Sequence, residues 1–259
     1  MIITTAPKPT PRSLEQAGKL AAELQADARP RKGLSVRKLL EISGDNRVII
    51  VTDSETRYYE HPEEPPLFFH PSMAFVRVKR LRKGESDPLI GLSRCEPGDH
   101  IIDCTAGMAA DALVFSYAAG EGGEVIALES EPVLCSLVRQ GLKHYDTGLP
   151  DVNDAMRRIQ MTCSNHAEYL AAQPDNSADI VYFDPMFRQP IMESAAIGAF
   201  RSLANMDELS LEVVEQAKRV ARKTVIMKEN GVSDEFDRLG FTRTQFNSSK
   251  IAYGVITID

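Results

Sequence analysis

The 259-residue sequence lacks several patterns that mark whole classes of protein. It has no run of about 18 apolar residues, which excludes a membrane-spanning helix. Its first residues, MIITTAPKPTPRS, have no apolar core after a basic start, so we expect no secretory signal. The four cysteines lie far apart and form no CxxC pair, which supports neither a disulfide framework nor a zinc site. We therefore expect a cytoplasmic protein with no bound metal and no membrane partner.

The sequence also lacks internal repeats, low-complexity tracts and any Ser/His/Asp order that would build a nucleophile with a base. Its apolar fraction of 43% and charged fraction of 26% are typical of an ordinary globular protein. The length allows one large domain or two modest ones.

Charge is distributed unevenly along the chain. The net charge is −7, but residues 1–95 hold 16 basic and 12 acidic residues, whereas the remainder holds 14 and 25. A run of seven residues, RVKRLRK, contains five bases: Arg77, Lys79, Arg80, Arg82 and Lys83. This asymmetry indicates that one part of the chain meets a polyanion, and we take the five bases as candidate contacts to a nucleic acid. The alternative is a solvated surface with a chance cluster.

Residues 1–95 predict a small basic α/β domain. After an extended lead-in, SLEQAGKLAAELQA predicts a helix capped by Ser13, and LSVRKLLEIS a second helix. NRVIIVT and ETRYYE alternate around Asp53 and Ser54, which favours a hairpin. LFFHPSMAFVRVKRLRKG is interpreted as extended, and DPLIGLS as a short helix capped by Asp87.

From residue 96 to 259, apolar strands alternate with amphipathic helices. The predicted strands are HIIDCTAG, EVIALES, RIQMTCS, ADIVYFDP, KTVIMKE and the closing pair FTRTQFN and KIAYGVITI. This alternation predicts a Rossmann-like, doubly wound, mostly parallel seven-stranded sheet. The short link between the last two strands makes the last strand antiparallel.

Acidic residues stand at three of the first four strand ends of this predicted sheet, namely Asp103, Glu129 and Asp184. Ligands of open α/β sheets bind beyond the carboxyl ends of the strands. Burying a carboxylate costs several kcal/mol unless it is hydrogen-bonded, so three acidic ends indicate a shared ligand.

The first strand end favours a nucleoside-bearing, cationic cofactor. Gly107 allows close backbone approach, and Glu129, 22 positions later, is placed to accept hydrogen bonds from two ribose hydroxyls. The loop G-M-A-A-D lacks the glycines that a pyrophosphate needs, and the acidic Asp103 and Asp111 suit an amino group. S-adenosylmethionine meets both demands. Asp103 could otherwise be a strand-end residue that caps the next turn.

Asp184-Pro185-Met186-Phe187 is the most specific motif. The Asp184 carboxylate and the Pro185 carbonyl could both accept hydrogen bonds from an exocyclic amino group, and Phe187 could stack on a flipped base. The alternative is an ordinary Asp-Pro turn between a strand and a helix.

The segments DCTAGMAADALVF and YFDPMF resemble class I S-adenosylmethionine-dependent methyltransferases, and more narrowly the bacterial 16S ribosomal RNA guanine-N2 methyltransferases of the RsmJ type. The resemblance covers residues 96–259 and implies methyl transfer to guanine N2 of small-subunit ribosomal RNA. Asp111 matches the family's aspartate, whereas Ala109 and Ala110 replace a glycine and an arginine.

The resemblance also implies roles for the remaining site residues. The predicted cofactor contacts are Asp103, Thr105, Ala106, Gly107, Asp111, Glu129, Ser130, Asn165, His166 and Asp184. Asn165 and His166 fall where family members hold the adenine, although His166 could merely satisfy a loop. Lys228 could reach a substrate phosphate or be only solvated.

Two other classes of function stay open at this point. One is a methyltransferase that acts on DNA, a protein or a small molecule. The other is a nucleotide-binding or RNA-binding module without catalysis, or an NAD enzyme. The sequence gives no prediction of oligomeric state.

Overall fold

The computed structural model describes residues 1–185, 203, 208–245 and 250–259. The described strands are β1 (Ile2–Thr5), β2 (Asp27–Ala28), β3 (Val48–Val51), β4 (Thr56–Tyr59), β5 (Leu67–Phe68), β6 (His100–Asp103), β7 (Glu124–Glu129), β8 (Ile159–Cys163), β9 (Ala178–Phe183), β10 (Ala221–Asn230), β11 (Thr242–Gln245) and β12 (Ile251–Thr257). The described helices are α1 (Pro11–Glu23), α2 (Val36–Ser43), α3 (Ser72–Leu81), α4 (Pro88–Ser93), α5 (Ala110–Ala119), α6 (Pro132–His144), α7 (Pro150–Arg158), α8 (His166–Ala172), α9 (Leu211–Val220) and α10 (Glu235–Leu239). None of these helices is both long enough and apolar enough to cross a lipid bilayer.

The described residues group into two compact units. The first contains residues 1–70, 132–146 and 203, and the second contains residues 71–131, 147–185, 208–245 and 250–259. Residues 71–95 therefore pack with the second unit. The division of function at residue 95 stays a prediction.

A five-stranded sheet of order β2-β1-β3-β4-β5 forms the first unit. The predicted hairpin is confirmed, because β3 and β4 pair antiparallel with Val51 opposite Thr56. The lead-in contains more structure than expected, since β1 pairs in parallel with both β2 and β3. The unit also requires a glycine in α6: a Cβ on Gly141 would lie 2.0 Å from Phe69 Cγ.

Helix α1 begins earlier than predicted. Thr10, not Ser13, is its N-cap, and the Thr10 side chain accepts a hydrogen bond from the Ser13 N–H. The Thr10 N–H in turn donates to Ser13 Oγ at 2.9 Å, which completes a capping box. Two residues with capping chemistry stand three positions apart, and the pattern alone did not show which one comes first.

The seven-stranded sheet of the second unit has the order β11-β12-β10-β9-β6-β7-β8. Strands β10, β9, β6, β7 and β8 are mutually parallel, whereas β12 runs antiparallel to both of its neighbours. This confirms the predicted mostly parallel sheet with an antiparallel last strand.

Helices cover both faces of this sheet, as a doubly wound fold requires. On one face the α5 residue Phe115 packs edge-on against Tyr182 of β9, with ring centroids 5.4 Å apart. On the other face Val181 and Phe183 join a buried cluster with Val213 and Val214 of α9. Strand β9 is therefore buried on both faces, which explains the apolar run from Ile180 to Phe183.

The segment that contains the basic run is helical, so the prediction of an extended segment at LFFHPSMAFVRVKRLRKG is wrong beyond β5. Helix α3 buries Ala74 and Val78, which stand four residues apart on one helix face. The alternation in VRVKR imitates a strand, but Lys79 and Arg80 lie in the last helical turn, where the helix dipole favours positive charge. Helix α4 has the predicted cap: the Asp87 side chain accepts from the Leu89 N–H at 3.0 Å.

Candidate active site

The parallel strands bring the predicted acidic residues to one edge of the sheet. Asp103 ends β6, Glu129 ends β7, and Asp184 follows the last residue of β9. Strands β9, β6 and β7 are consecutive neighbours, so these three carboxyl groups occupy adjacent strand ends. Asn165, beyond β8, extends the same edge and caps α8 by accepting the Ala167 N–H at 2.8 Å.

The loop after β6 is shaped by two residues with left-handed backbones. Gly107 has φ +49° and Ala109 has φ +57°. The loop is anchored to neighbouring strands, because the Ala106 N–H donates to the Leu128 carbonyl at 2.9 Å and the Cys104 N–H to the Tyr182 carbonyl at 2.9 Å. Ala109 therefore keeps a conformation that glycine adopts with less strain.

Glu129 is a buried carboxylate at the end of β7, with 8% of its surface exposed. One of its oxygens accepts the Glu131 N–H at 2.9 Å. Burial raises its pKa, and the backbone amides of Glu131, Gly107 and Ser130 counter that shift. The carboxylate is thus fixed by backbone donors.

Asp111, in the first turn of α5, is compensated by side chains of the protein itself. It accepts hydrogen bonds from Lys228 Nζ at 2.7 Å, from the Tyr182 hydroxyl at 2.7 Å and from the Arg77 guanidinium. Burial opposes its ionisation, but Lys228 and Arg77 hold its pKa well below the usual range. The sequence predicts that Asp111 offers a negative charge to a cationic ligand. In the structure, Lys228 and Arg77 already balance that charge.

Asp184 lies between β6 and β10. Its backbone N–H donates to Thr105 Oγ1, and one side-chain oxygen, Oδ2, accepts from Lys228 Nζ. Burial raises the pKa of Asp184 to about 6, against the lowering effect of Lys228 and with a further raising effect from Asp111. Its side chain keeps 26% exposure, more than the 6% of Asp111.

Asp103 is the most buried of the three strand-end acids, with 1% exposure. Its Oδ1 accepts the Thr105 N–H at 3.1 Å, so it does cap the following turn. Burial and the neighbouring Asp111 carboxylate raise its pKa well above the usual range.

The comparisons with known proteins agree with this geometry. A family model described as "Putative SAM-dependent methyltransferase" matches residues 72–238. The chain belongs to this family of S-adenosylmethionine-dependent methyltransferases.

Two curated proteins are similar in sequence to this methyltransferase. It is 35% identical over 255 residues to the uncharacterized protein YpiP of Bacillus subtilis, covering 98% of each chain. It is 32% identical over 131 residues to a ribosomal RNA small subunit methyltransferase J of Laribacter hongkongensis, covering 49% of this chain and 45% of that protein. The second match spans less than half of the ribosomal RNA enzyme.

A solved structure supports the fold of the methyltransferase. The crystal structure of a SAM-dependent methyltransferase from Neisseria gonorrhoeae superimposes with a TM-score of 0.67 at 17% identity, over 99% of this chain and 96% of that one. S-adenosylmethionine is the cofactor of the family. The strand edge fits this cofactor, because it combines the buried Glu129 carboxylate with a glycine backbone at Gly107.

The predicted RNA contacts of the methyltransferase fall into two groups. Lys79, Arg80, Arg82 and Lys83 are exposed on α3 and just after it. Arg80 pairs with Glu85 and Arg82 with Asp151, while Lys79 lies 4.7 Å above the Phe75 ring. Arg77 instead points inward, where it donates two 2.8 Å hydrogen bonds to Asp87 as well as one to Asp111.

Lys228 is not merely solvated, because its side chain is 16% exposed and paired with two carboxylates. His166 begins α8, and its ring lies edge-on to Phe183 with centroids 6.0 Å apart. Phe187 lies outside the described residues. The roles of all of these residues toward cofactor or RNA stay predictions.

Sequence reasoning missed the aromatic hydroxyls near this site. Tyr182 is fully buried, and its hydroxyl donates a hydrogen bond to Asp111. Tyr253 of β12 stands opposite Lys228 in the sheet, and burial raises the pKa of its hydroxyl to about 12. Tyr182 and Tyr253 are both distant from Asp111 in sequence. Only the order of the strands in the sheet could have shown that they lie near it.

Proposed function

We propose that this methyltransferase transfers a methyl group to an exocyclic amino nitrogen, N2 of a guanine, in small-subunit ribosomal RNA. The observation that carries the proposal is the state of Asp184 at the end of a central strand. Lys228 Nζ donates a hydrogen bond to Oδ2 of Asp184, and within the described ranges no donor contacts Oδ1 of Asp184. A carboxylate with one oxygen fixed by Lys228 and one oxygen that no described donor contacts is suited to an N–H donor of the substrate.

The chemistry required of the protein is modest. S-adenosylmethionine supplies an electrophilic methyl group when bound. A guanine amino group is a poor nucleophile because its lone pair is delocalised into the ring. The Asp184 carboxylate and the Pro185 carbonyl would accept its two hydrogens, localise the lone pair and stabilise the positive charge that develops. Phe187 would stack on the flipped base.

The cofactor would be held by the neighbouring strand ends. Glu129 would accept hydrogen bonds from the ribose hydroxyls, beside Ser130, and the backbone from Thr105 to Gly107 would allow close approach. Asn165 and His166 would flank the adenine. Asp103 and Asp111 would line the part of the site nearest Asp184.

Two further observations support ribosomal RNA as the substrate. Curated relatives of this chain are named ribosomal RNA small subunit methyltransferase J, although they match over only about half of their length. The exposed bases on α3 and just after it, namely Lys79, Arg80, Arg82 and Lys83, would contact RNA phosphates, which position a substrate without reading its sequence. A cytoplasmic location follows from this proposal as an expectation.

The decisive experiment is mass spectrometry of ribosomal RNA nucleosides from cells with and without the gene. We expect one N2-methylguanosine of the small subunit to disappear on deletion and to return with the wild-type gene. Unchanged ribosomal RNA together with a lost methyl group on DNA, a protein or a small molecule would contradict the substrate assignment.

A purified variant tests the role of Asp184. Asp184→Ala is expected to leave the fold intact and to lower methyl transfer by at least about a hundredfold, as loss of one electrostatic contact commonly does. The rate is measured with a tritiated methyl donor and ribosomal RNA. Asp179→Ala is the matched control, because Asp179 lies at the other end of β9 and pairs with Arg222. Near-normal turnover of Asp184→Ala would remove Asp184 from the chemistry.

A further inference from the structure

Five side chains of the second unit alternate in charge from α4 to the end of β9. This charge chain consists of Asp87, Arg77, Asp111, Lys228 and Asp184. Arg77 bridges Asp87 and Asp111, and Lys228 Nζ bridges Asp111 and Asp184. Each cation thus lies between two carboxylates.

The inner members of the charge chain are more buried than its terminal member Asp184. Side-chain exposure is 6% for Asp111 and 16% for Lys228, but 26% for Asp184. Burying a charge is unfavourable unless partners compensate it. Asp111 has two cations and a tyrosine hydroxyl, whereas Asp184 has Lys228 as its sole ion-pair partner among the described residues.

We infer that Lys228 is a positioning residue: it holds Oδ2 of Asp184, keeps that side chain ionised and leaves Oδ1 for the amino group of the substrate. This inference rests on the proposed function, since it concerns the same site. It replaces the hypothesis that Lys228 reaches an RNA phosphate, because Nζ would have to leave two carboxylates to do so.

Among the described residues, the charged and titratable groups that interact with Lys228 or Asp184 come from five elements. They are Arg77 on α3, Asp103 on β6, Asp111 on α5, Tyr182 on β9 and Tyr253 on β12. Asp87, at the start of α4, pairs with Arg77. Burial already raises the pKa of Asp184 to about 6, and Asp111 adds to this. Lys228 is the strongest opposing influence, so its removal is expected to raise that pKa further.

The test measures the Asp184 carboxyl directly as well as the reaction. Carbon-13 NMR of aspartate-labelled protein gives the pKa of Asp184, which is assigned from the signal that Asp184→Asn loses. Methyl transfer under single-turnover conditions gives the pH profile. The proteins are wild type, Lys228→Met, Lys228→Arg and the control Lys223→Met. Lys223 is on the same strand and also bridges two carboxylates, Asp99 and Glu96.

We expect Lys228→Met to raise the pKa of Asp184 by about one to three units, the range seen when a neighbouring charge is lost. A shift of two units would lower the rate about tenfold at pH 7 and restore it above pH 9. Lys228→Arg should stay close to wild type, and Lys223→Met should leave both pKa and profile unchanged.

Asp111→Asn provides a second variant whose expected effect has the opposite sign. It removes a carboxylate that competes for Lys228 and repels Asp184, so the pKa of Asp184 should fall and the profile should move to lower pH. A loss of folding cannot imitate this shift, and an Asp184 pKa that stays unchanged or rises in Asp111→Asn would contradict the electrostatic balance on which the inference depends.

Three outcomes would overturn the inference. They are an unchanged Asp184 pKa in Lys228→Met, an equal loss of rate at every pH, and weaker RNA binding with an unchanged pH profile. Failure of the proposed function is distinguishable: the NMR shifts would follow the expected pattern while guanine in RNA received no methyl group from the wild-type protein.

Discussion

At the scale of single residues, strand alternation decides which chemistry reaches the site. Tyr182 and Phe183 are adjacent in β9 but lie on opposite faces, so that Tyr182 meets α5 and Phe183 joins the cluster with α9. Lys228 has the same orientation as Tyr182, since both bind Asp111. The sequence motif Asp184-Pro185 predicts the candidate site, but the partner of Asp184 comes from a strand 44 residues away.

Ala109 provides a prediction at this scale. Its φ of +57° costs an alanine about 1 kcal/mol or more relative to glycine. Glycine relieves this strain but is also more flexible in the unfolded chain, which offsets part of the gain. Ala109→Gly should therefore raise the free energy of unfolding by up to about 1 kcal/mol, measured by urea denaturation. Ala110→Gly is the control, because Ala110 is the first residue of α5 and glycine there should not stabilise. A destabilised Ala109→Gly together with an unaffected Ala110→Gly would contradict the strain argument.

At the scale of elements, α3 shows why a local pattern can mislead. The same residues that alternate like a strand place Ala74 and Val78 on one helix face. Arg77 consequently separates from the other bases of the run and joins the charge chain, while Lys79, Arg80, Arg82 and Lys83 stay exposed. Because the segment is helical, one base of the run is half-buried in ion pairs and the other four are exposed to solvent.

The four exposed bases of this run give a prediction about RNA binding. Replacing Lys79, Arg80, Arg82 and Lys83 by glutamine should weaken binding to ribosomal RNA and flatten its dependence on salt, because fewer counterions are released. Binding is measured by fluorescence anisotropy between about 50 and 200 mM salt.

The control for α3 is a quadruple variant of equal charge at Arg29, Arg31, Lys32 and Arg37, all in the first unit. If both variants lost affinity equally, general charge and not α3 would explain binding. If affinity for S-adenosylhomocysteine fell in the α3 variant, the assignment of α3 to RNA would be wrong.

At the scale of the whole molecule, the buried carboxyl groups of the candidate site make the free energy of unfolding depend on pH. The pKa of Asp184 is raised to about 6, and the pKa values of Asp103 and Glu129 are raised as well. Such groups bind protons more tightly in the folded than in the unfolded chain, so their contribution favours folding at low pH and is lost as pH rises through the folded pKa. Asp111 acts in the opposite sense, because its pKa is lowered.

A neutral variant isolates the contribution of Asp184 to stability. The gain in unfolding free energy of Asp184→Asn over wild type should be larger at pH 8 than at pH 4, by up to about 3 kcal/mol for a two-unit shift. Urea denaturation at pH 4, 6 and 8 measures it. Asp179→Asn is the control, because Arg222 lowers the pKa of Asp179 and the trend should reverse. A difference for Asp184→Asn that is constant with pH would contradict the argument.

The sequence by itself determined the seven-stranded sheet, its antiparallel last strand and the acidic strand ends, because periodicity and strand-end chemistry are local properties. It did not determine that α3 is a helix, that β1 joins a sheet, or that residues 132–146 group with the first unit. Nor could it pair Lys228 with Asp184 or Arg77 with Asp111. Those facts depend on which strands become neighbours and which helix face is buried, and the chain decides both only when its distant segments pack together.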